Sequence, residues 1–341
     1  MIITLTANPA LDKTIELGEP LAPGAVQRAV ASHVQAAGKG VNVSRAIAAA
    51  GGATLAVLPG ASTDPLVTAL AHDQLAHRNL PIAEALRTNT TLTDPDGTTT
   101  KINEPGPALD AQQLAELGEL VAEAAAGASW LVMAGSLPPG VPAGFYAQLT
   151  AKLRAALGAK CPKIAVDTSG APLLELFAHG QQHIPDLVKP NAEELAQLAG
   201  GYSEAALEDS IELAGGYSEA ALEDSIELAA GCAQQLLDRG AGAVLATLGA
   251  QGALLVTKQG AWHGSHTPII PRSTVGAGDS SLAGYLLADA AGASAPERLR
   301  NAVAYGAAAT QLPGSTIPTE SDLTAGAVTV SELTSTQGTE S

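Results

Sequence analysis

The chain has 341 residues, of which 46% are hydrophobic and only 3% aromatic, and its formal net charge is −17. That excess of acid argues against unspecific binding to nucleic acid or to an anionic membrane surface, and it requires any anionic substrate to be met by a local basic cluster. With 36 glycines and few aromatics the core must be aliphatic and tightly packed, enough for one large α/β domain or two smaller ones.

Two cysteines, Cys161 and Cys232, make no disulfide framework and suit a reducing compartment. The sequence starts on a strand-like Met1-Ile-Ile-Thr-Leu5, without a charged leader or an apolar run of about 18 residues. The expectation is a cytoplasmic protein, neither secreted nor membrane-spanning.

Ile2 to Thr6 reads as a buried strand, broken by Asn8-Pro-Ala-Leu-Asp12. Asp12 then stands at the C-terminal end of a strand, where ligands sit in open α/β sheets, although a turn residue would look the same. Lys13 to Leu17 and Val26 to Ala36 continue in extended style. Gly38-Lys-Gly-Val-Asn42 opens a helix marked by Val43, Ala46, Ile47 and Ala50. It lacks the first half of a P-loop and the hydroxyl residue after the lysine, so a P-loop NTPase is excluded. Lys39 is a candidate for a phosphate or sugar oxygen and Asn42 for hydroxyls; a solvated lysine at a glycine-rich helix start is the alternative.

Arg87 to Leu92 and Thr98 to Ile102 alternate around Asp94-Pro-Asp-Gly97, the pattern of a β-hairpin. Its charges Arg87 and Lys101 either reach over a pocket, as on a lid, or are ordinary exposed strand charges. Strands over Trp130–Ala134, Lys163–Asp167, Leu187–Val188 and Ala243–Ala246 alternate with helices over Asp110–Ala126, Phe145–Leu157 and Pro172–Phe177. Each strand ends in a polar turn: Gly135-Ser-Leu-Pro138, Asp167-Thr-Ser-Gly170, Lys189-Pro-Asn-Ala-Glu-Glu194 and Thr247-Leu-Gly-Ala-Gln-Gly252. Repeated strand–turn–helix units predict a doubly wound, mostly parallel sheet flanked by helices. No G-x-G-x-x-G follows the first strand, which argues against a dinucleotide oxidoreductase.

Gly200–Ala214 is repeated letter for letter as Gly215–Ala229. An exact tandem copy is unlike a solenoid, whose repeats diverge. One copy is expected to lead into a helix through Ile226, Leu228, Leu236 and Leu237, and the other to be a functionally neutral surface insertion. Beyond Pro318 the chain turns Ser/Thr/Glu-rich with no apolar period, and a disordered tail is expected over 321–341.

The richest stretch is Thr274-Val-Gly-Ala-Gly-Asp279, followed by the apolar face Leu282, Ala283, Tyr285 and Leu286. Gly276, Ala277 and Gly278 form a turn with almost no side chains at a helix start, which is an anion site. A carboxylate there either caps the helix or takes a proton from a hydroxyl while the turn steadies a phosphoryl group.

Taken together, these motifs resemble the PfkB (ribokinase-like) carbohydrate kinases from Thr4 to about Pro318, in the branch that phosphorylates sugar phosphates. The likeness implies a ribokinase-like domain over 1–320, with β-lid segments at about 12–36 and 86–104. It implies Asp279 as catalytic base and Gly276, Ala277 and Gly278 as anion hole. Asp12, Gly38, Lys39, Gly40 and Asn42 would form the sugar site. Lys39 and Arg87, then Lys101 and Ser136, would meet the phosphate already on the substrate. Lys189, Thr247, Leu248, Gly249, Ala250, Gln251 and Gly252 would hold the nucleotide with Gly278, and Asn301 and Gly306 would lie near adenine. Asn191 and Glu194 would place Mg2+ through water, which suits an ion that keeps its hydration.

The implied reaction is ATP-dependent phosphorylation of fructose 1-phosphate at C6, by a homodimer paired through the lid. Tagatose 6-phosphate or fructose 6-phosphate kinases share the same scaffold, and a non-catalytic sugar-phosphate sensor would not need Asp279. Ala37, Ser273 and Ser281 depart from the usual family residues, and none of these removes a reacting group.

Overall fold

The computed structural model describes residues 1–200, 217–324 and 326–333. Its main sheet has ten strands in the order β14-β13-β12-β11-β10-β9-β8-β1-β4-β5. These are β1 (Ile2–Leu5), β4 (Thr54–Pro59), β5 (His77–Leu80), β8 (Trp130–Ala134), β9 (Lys163–Asp167), β10 (Leu187–Val188), β11 (Ala243–Thr247), β12 (Ala253–Thr257), β13 (Gly260–His266) and β14 (Val328–Leu333). From β5 to β11 every pairing is parallel, and β12, β13 and β14 add antiparallel strands at one edge. β1 and β8 are buried along their whole length, as continuous apolar strands covered on both faces must be.

Two core layers lie on opposite faces of this sheet. One gathers Ile3, Leu5, Leu131, Met133 and Val166 with α3 (Ala111–Ala125), α4 (Phe145–Leu157), α6 (Ala192–Ala199) and α8 (Ile226–Asp238). The other gathers Ile2, Trp130, Val132 and Leu245 with α1 (Lys39–Ala49), α9 (Ala277–Ala290) and α10 (Ala295–Thr310). α9 is buried almost all round, because α1 and α10 flank it. Gly284 lets α10 come close: a Cβ there would stand 2.6 Å from the Asn301 carbonyl oxygen.

A second sheet of four strands, order β3-β2-β6-β7, stands beside the first: β2 (Ala10–Leu17), β3 (Ala29–Ala37), β6 (Arg87–Thr93) and β7 (Thr99–Asn103). These are the two segments expected to form a lid. The register sets Asp12 opposite both Gln35 and Asn89, and Thr91 opposite Lys101, so period-2 alternation puts these polar residues on one face. The other face carries Leu11, Ile15, Leu92, Val30, Val34 and Ile102, and the last three are 70%, 58% and 56% exposed.

The expected disordered tail needs correction. Residues 320–322 form a 3-10 turn, and Val328–Leu333 form β14, antiparallel to β13. Val328 and Val330 turn inward against the second core layer while Thr329 and Ser331 turn outward. The period of 2 was present but short, inside a Ser/Thr/Glu-rich stretch whose composition points the other way. Residues 334–341 lie outside the described residues.

Of the tandem copies, residues 201–216 also lie outside them. The second copy is built into the domain: α7 (Glu219–Asp224) buries Leu222 completely, and α8 follows after Ser225 caps it through Leu228 N.

Candidate active site

The polar turns noted in the sequence all fall at the C-terminal ends of parallel strands: Asn8 after β1, Gly135 and Ser136 after β8, Asp167 at the end of β9, Lys189 after β10 and Thr247 at the end of β11. In such a sheet the strands point their carbonyl ends and the flanking helices their N-termini at this edge, which makes it the place for anions. A parallel bridge between Asn191 and Thr247 ties two of these turns together.

Gly276 sits before the first residue of α9 in the left-handed conformation, φ 78°, which glycine adopts without steric cost. Asp279 therefore falls in the first turn of α9, and only 6% of its surface is exposed. Its Oδ2 accepts a hydrogen bond from Asn42 Nδ2 at 2.8 Å. Burial, with the nearby charge of Asp167, pushes the Asp279 carboxyl up to about 6, against the pull of Asn42, Lys39 and Lys189. A carboxyl tuned in this way is a base that can still take a proton near neutral pH.

Two ammoniums converge on Asp167. Lys39 Nζ lies 2.7 Å from its Oδ1, and Lys189 Nζ lies 3.2 Å from its Oδ2. Burial alone would raise the Asp167 carboxyl, but Lys189 and Lys39 hold it well below the usual carboxylate range. For Lys39 burial alone would lower the ammonium, and Asp167, Glu194 and Asp279 outweigh it and raise it. Asp167, at the end of β9, is the strand-end carboxylate, yet it was not among the expected site residues; Asp12, expected at a strand end, lies instead inside β2, because the chain re-enters extended structure at Ala10.

Arg87 belongs to a different corner. Its Nη2 donates to the Asn8 carbonyl at 3.1 Å and to Ser136 Oγ at 3.4 Å, and its Nη1 donates to the Glu104 carbonyl at 3.1 Å. Lys39 instead turns its ammonium to Asp167, so the two residues expected to share one phosphate face different groups. Asp12 accepts from Asn89 Nδ2 at 3.1 Å, and burial raises its carboxyl despite Asn89, Arg87 and Lys101. Gln35, next to Asp12 across the sheet, donates from Nε2 to Ser315 Oγ, and Ser315 lies against Gly276. The polar face of the four-stranded sheet is thus turned to the Gly276–Gly278 turn, called the transfer turn below. Lys101 itself is exposed.

Among the buried side-chain atoms without a hydrogen-bond partner are Asn8 Oδ1, Asn42 Oδ1, Asn89 Oδ1 and Arg87 Nε. Such atoms are rare in folded proteins; Asn8 and Arg87 share one corner, Asn89 pairs with Asp12 and Asn42 with Asp279, at places where a ligand could take up the missing bonds. Asn8 opens the Asn8-Pro-Ala-Leu-Asp12 motif, of which only the carboxylate was among the expected site residues; Asn89 was missed because an isolated asparagine carries no spacing signal.

On the nucleotide side, Thr247 through Gly252 form the connection from β11 to β12, with a 3-10 turn over Gly249–Gln251. Leu248 is fully buried, with its N–H donating to the Gly252 carbonyl and its carbonyl accepting from Gln251 N, so, against expectation, it presents no free group to a ligand, while Gly249, Ala250 and Gln251 are exposed. The Gln251 carbonyl accepts from His263 Nε2 at 2.7 Å. Gly306 packs against Ser281 and Ala277, directly behind the transfer turn. Asn301 is farther along: its amide donates to the Gly284 carbonyl at 2.8 Å, two turns down α9. Asn191 caps α6, accepting from Glu194 N at 2.7 Å, while one Glu194 oxygen accepts from Asn191 N at 2.9 Å. This reciprocal cap leaves the other Glu194 oxygen free.

The family model described as pfkB family carbohydrate kinase matches residues 6–322. The chain belongs to that family. It is 35% identical over 295 residues to the 1-phosphofructokinase of Xanthomonas campestris, covering 84% of this chain and 83% of the relative. It is 33% identical over 325 residues to ATP-dependent 6-phosphofructokinase isozyme 2 of Escherichia coli, covering 94% and 96%. The crystal structure of Escherichia coli phosphofructokinase-2 in complex with substrates and products superposes with a TM-score of 0.78 at 33% identity, covering 94% of this chain and 96% of that one. The fold is therefore ribokinase-like, and the protein is a sugar kinase with ATP as its co-substrate.

Proposed function

We propose that the protein phosphorylates fructose 1-phosphate at its C6 hydroxyl, giving fructose 1,6-bisphosphate and ADP in the cytoplasm. The carrying observation is Asp279: a buried, proton-affine carboxyl in the first turn of α9, beside a left-handed glycine turn. The sugar lies between the strand ends and the polar face of the four-stranded sheet, with Asp12 and Asn89 on its hydroxyls. Its existing phosphate meets Arg87, Ser136 and Asn8. Asp279 takes the C6 proton as that oxygen bonds to the γ-phosphorus. The bond from the γ-phosphorus to the β–γ bridging oxygen breaks, and ADP leaves. Backbone N–H groups of the Gly276–Gly278 turn stabilise the charge on the group in transit.

Mg2+ fits this site. Three buried carboxylates, Asp167, Glu194 and Asp279, face two ammoniums, Lys39 and Lys189, so the cluster is negative by one charge before any phosphate arrives. Glu194, with one carboxylate oxygen outside the reciprocal cap, and Asn191 would hold the ion through water. When bound, it supplies neutralisation of nucleotide phosphate charge.

A second copy of this chain is the partner we assign to the exposed apolar face around Val30, Val34 and Ile102. The Escherichia coli relative has been described in a tetrameric inhibited form. Among the described residues no helix is long and apolar enough to cross a membrane.

A 6-phosphofructokinase reading has its own support, since relatives of that name match at 33% identity over 92% to 94% of the chain. Both reactions use the same base and turn. A coupled ADP-release assay with Mg·ATP, run on fructose 1-phosphate, fructose 6-phosphate and tagatose 6-phosphate, separates them. The proposal expects the fastest turnover on fructose 1-phosphate. A preference for either 6-phosphate reassigns the substrate and keeps the chemistry. Retained ATP binding without turnover points to a sensor.

A further inference from the structure

Beyond its share in the negative charge counted above, Asp167 is the one buried carboxylate at the strand ends that neither moves a proton nor holds a ligand in the kinase chemistry above. It is 1% exposed, and its backbone is fixed: its carbonyl accepts from Gly135 N at 2.9 Å, and Thr168 Oγ1 and Tyr146 Oη both donate to the Gly135 carbonyl. Each carboxylate oxygen faces one ammonium: Oδ1 accepts a hydrogen bond from Lys39, and Oδ2 forms an ion pair with Lys189 outside hydrogen-bond geometry. The two lysines come from different sides. Lys39 opens α1, one turn before the Asn42 amide that holds Asp279. Lys189 follows β10, and its Nζ lies 3.2 Å from where a Cβ on Gly278 would stand, so it rests against the transfer turn.

Resting on the kinase reading, we propose that Asp167 is a positioning residue for phosphoryl transfer, holding the Lys39 and Lys189 ammoniums on two sides of the phosphoryl path and away from Asp279.

The physical argument is one of competition. Lysine is a long, flexible chain with a compact charge, and inside a low-dielectric site it goes to the nearest carboxylate. Without Asp167 the carboxylates left to these two ammoniums are Asp279 and Glu194. An ammonium paired directly with Asp279 would stabilise the ionised form and weaken the base. With Asp167 in place, both ammoniums have a carboxylate partner other than Asp279, and Asp279 is left with one neutral donor, Asn42. The charged groups facing Asp279 are Lys39 from α1, Asp167 from the end of β9 and Lys189 from the end of β10, with Glu194 of α6 beyond Lys39. α10 meets this end of α9 through Gly306.

The test is Asp167→Asn, which keeps the shape and removes the charge, measured against the wild type over pH 5 to 8 with Mg·ATP and the preferred sugar phosphate. Wild-type turnover on none of the sugar phosphates would sink the kinase reading itself, and this inference with it. Given wild-type turnover, kcat of Asp167→Asn is expected to fall about 10²-fold, the scale of a misplaced reacting group. The acid limb of its kcat/KM profile is expected to move down by about one unit, because both ammoniums are released towards Asp279. A residue that only supports the fold would lower the fraction of active enzyme and leave that limb in place. Turnover within about twofold of wild type, or a lower kcat with an unmoved limb, overturns the proposal. Should Asp167→Asn fail to fold, Lys39→Met leaves Asp167 paired with Lys189 and removes one cation; its acid limb must then move up, and an unmoved limb overturns the proposal equally.

Discussion

At the C-terminal edge of the ten-stranded sheet, Asp167, Lys189, Glu194 and Asp279 are each at most 6% exposed and lie among fixed backbone turns. On the four-stranded sheet a few residues away, every strand residue from Arg87 to Thr93 is half-buried and every one from Thr99 to Asn103 is exposed. The first region holds its charges in low dielectric, where each changes the proton affinity of the next. The second keeps its side chains at a surface, one face polar towards the site and one apolar towards solvent. Under the proposed function, chemistry falls among the buried charges and sugar recognition on the more exposed sheet. The two regions should therefore fail differently when disturbed.

The largest effect is expected at the base. Asp279→Asn keeps the size of the side chain and removes its proton affinity, so kcat should fall about 10³-fold, within the span of general base catalysis. Binding of Mg·ATP, followed by calorimetry, should change little. Near-normal turnover would remove Asp279 from the mechanism.

The same group sets the pH dependence. Its carboxyl is raised to about 6, so the reactive, ionised form is lost as pH falls through that value, and kcat/KM should drop about tenfold per unit below it. The sign is opposite for stability: a raised carboxyl stabilises the fold only at low pH and loses that contribution as pH rises through 6. Activity with no acid limb between pH 5 and 7 would place the base elsewhere.

The outer face of the four-stranded sheet should show a smaller loss of a different kind. Val34→Glu and Ile102→Glu put charge on an exposed apolar patch without touching Asp279. If the proposed interface holds, sedimentation should show dissociation to monomers, with sugar KM raised about tenfold and kcat less affected, since the proposal puts the sugar on the opposite face. A variant that stays dimeric would move the interface off this sheet.

How much of this was legible in the sequence follows the same divide. β8, β9, β10 and α4 have the bounds their apolar runs predict, and the turn at Gly276–Asp279 is what its glycines require, because these signals are local. The direction of Lys39 was not local: it depends on Asp167, 128 positions away, and only the parallel pairing of β1, β8 and β9 brings the two together. Asn89 beside Asp12 and Gln35 beside Ser315 are likewise products of strand register and chain crossing. β14 was masked by composition, because its Val328 and Val330 count only once β13 is there to receive them.

The tandem copy tests whether this divide extends to the chain's own length. The two copies are identical, so removing 200–214 or 215–229 produces the same protein. That protein still has one Leu222-type residue to bury between α6, α8 and the nucleotide turn, and one Ser225-type cap for α8. Extra loop length costs little, on the order of 0.6 kcal/mol for each doubling. The shortened protein should therefore match the full chain in kcat and in both KM values within about twofold, and melt no lower. A rise in nucleotide KM alone would be informative, because the Glu223 carboxylate lies against Gly249 of the nucleotide turn. It would mean that the added segment, and not only the copy folded as α7, helps to shape that turn.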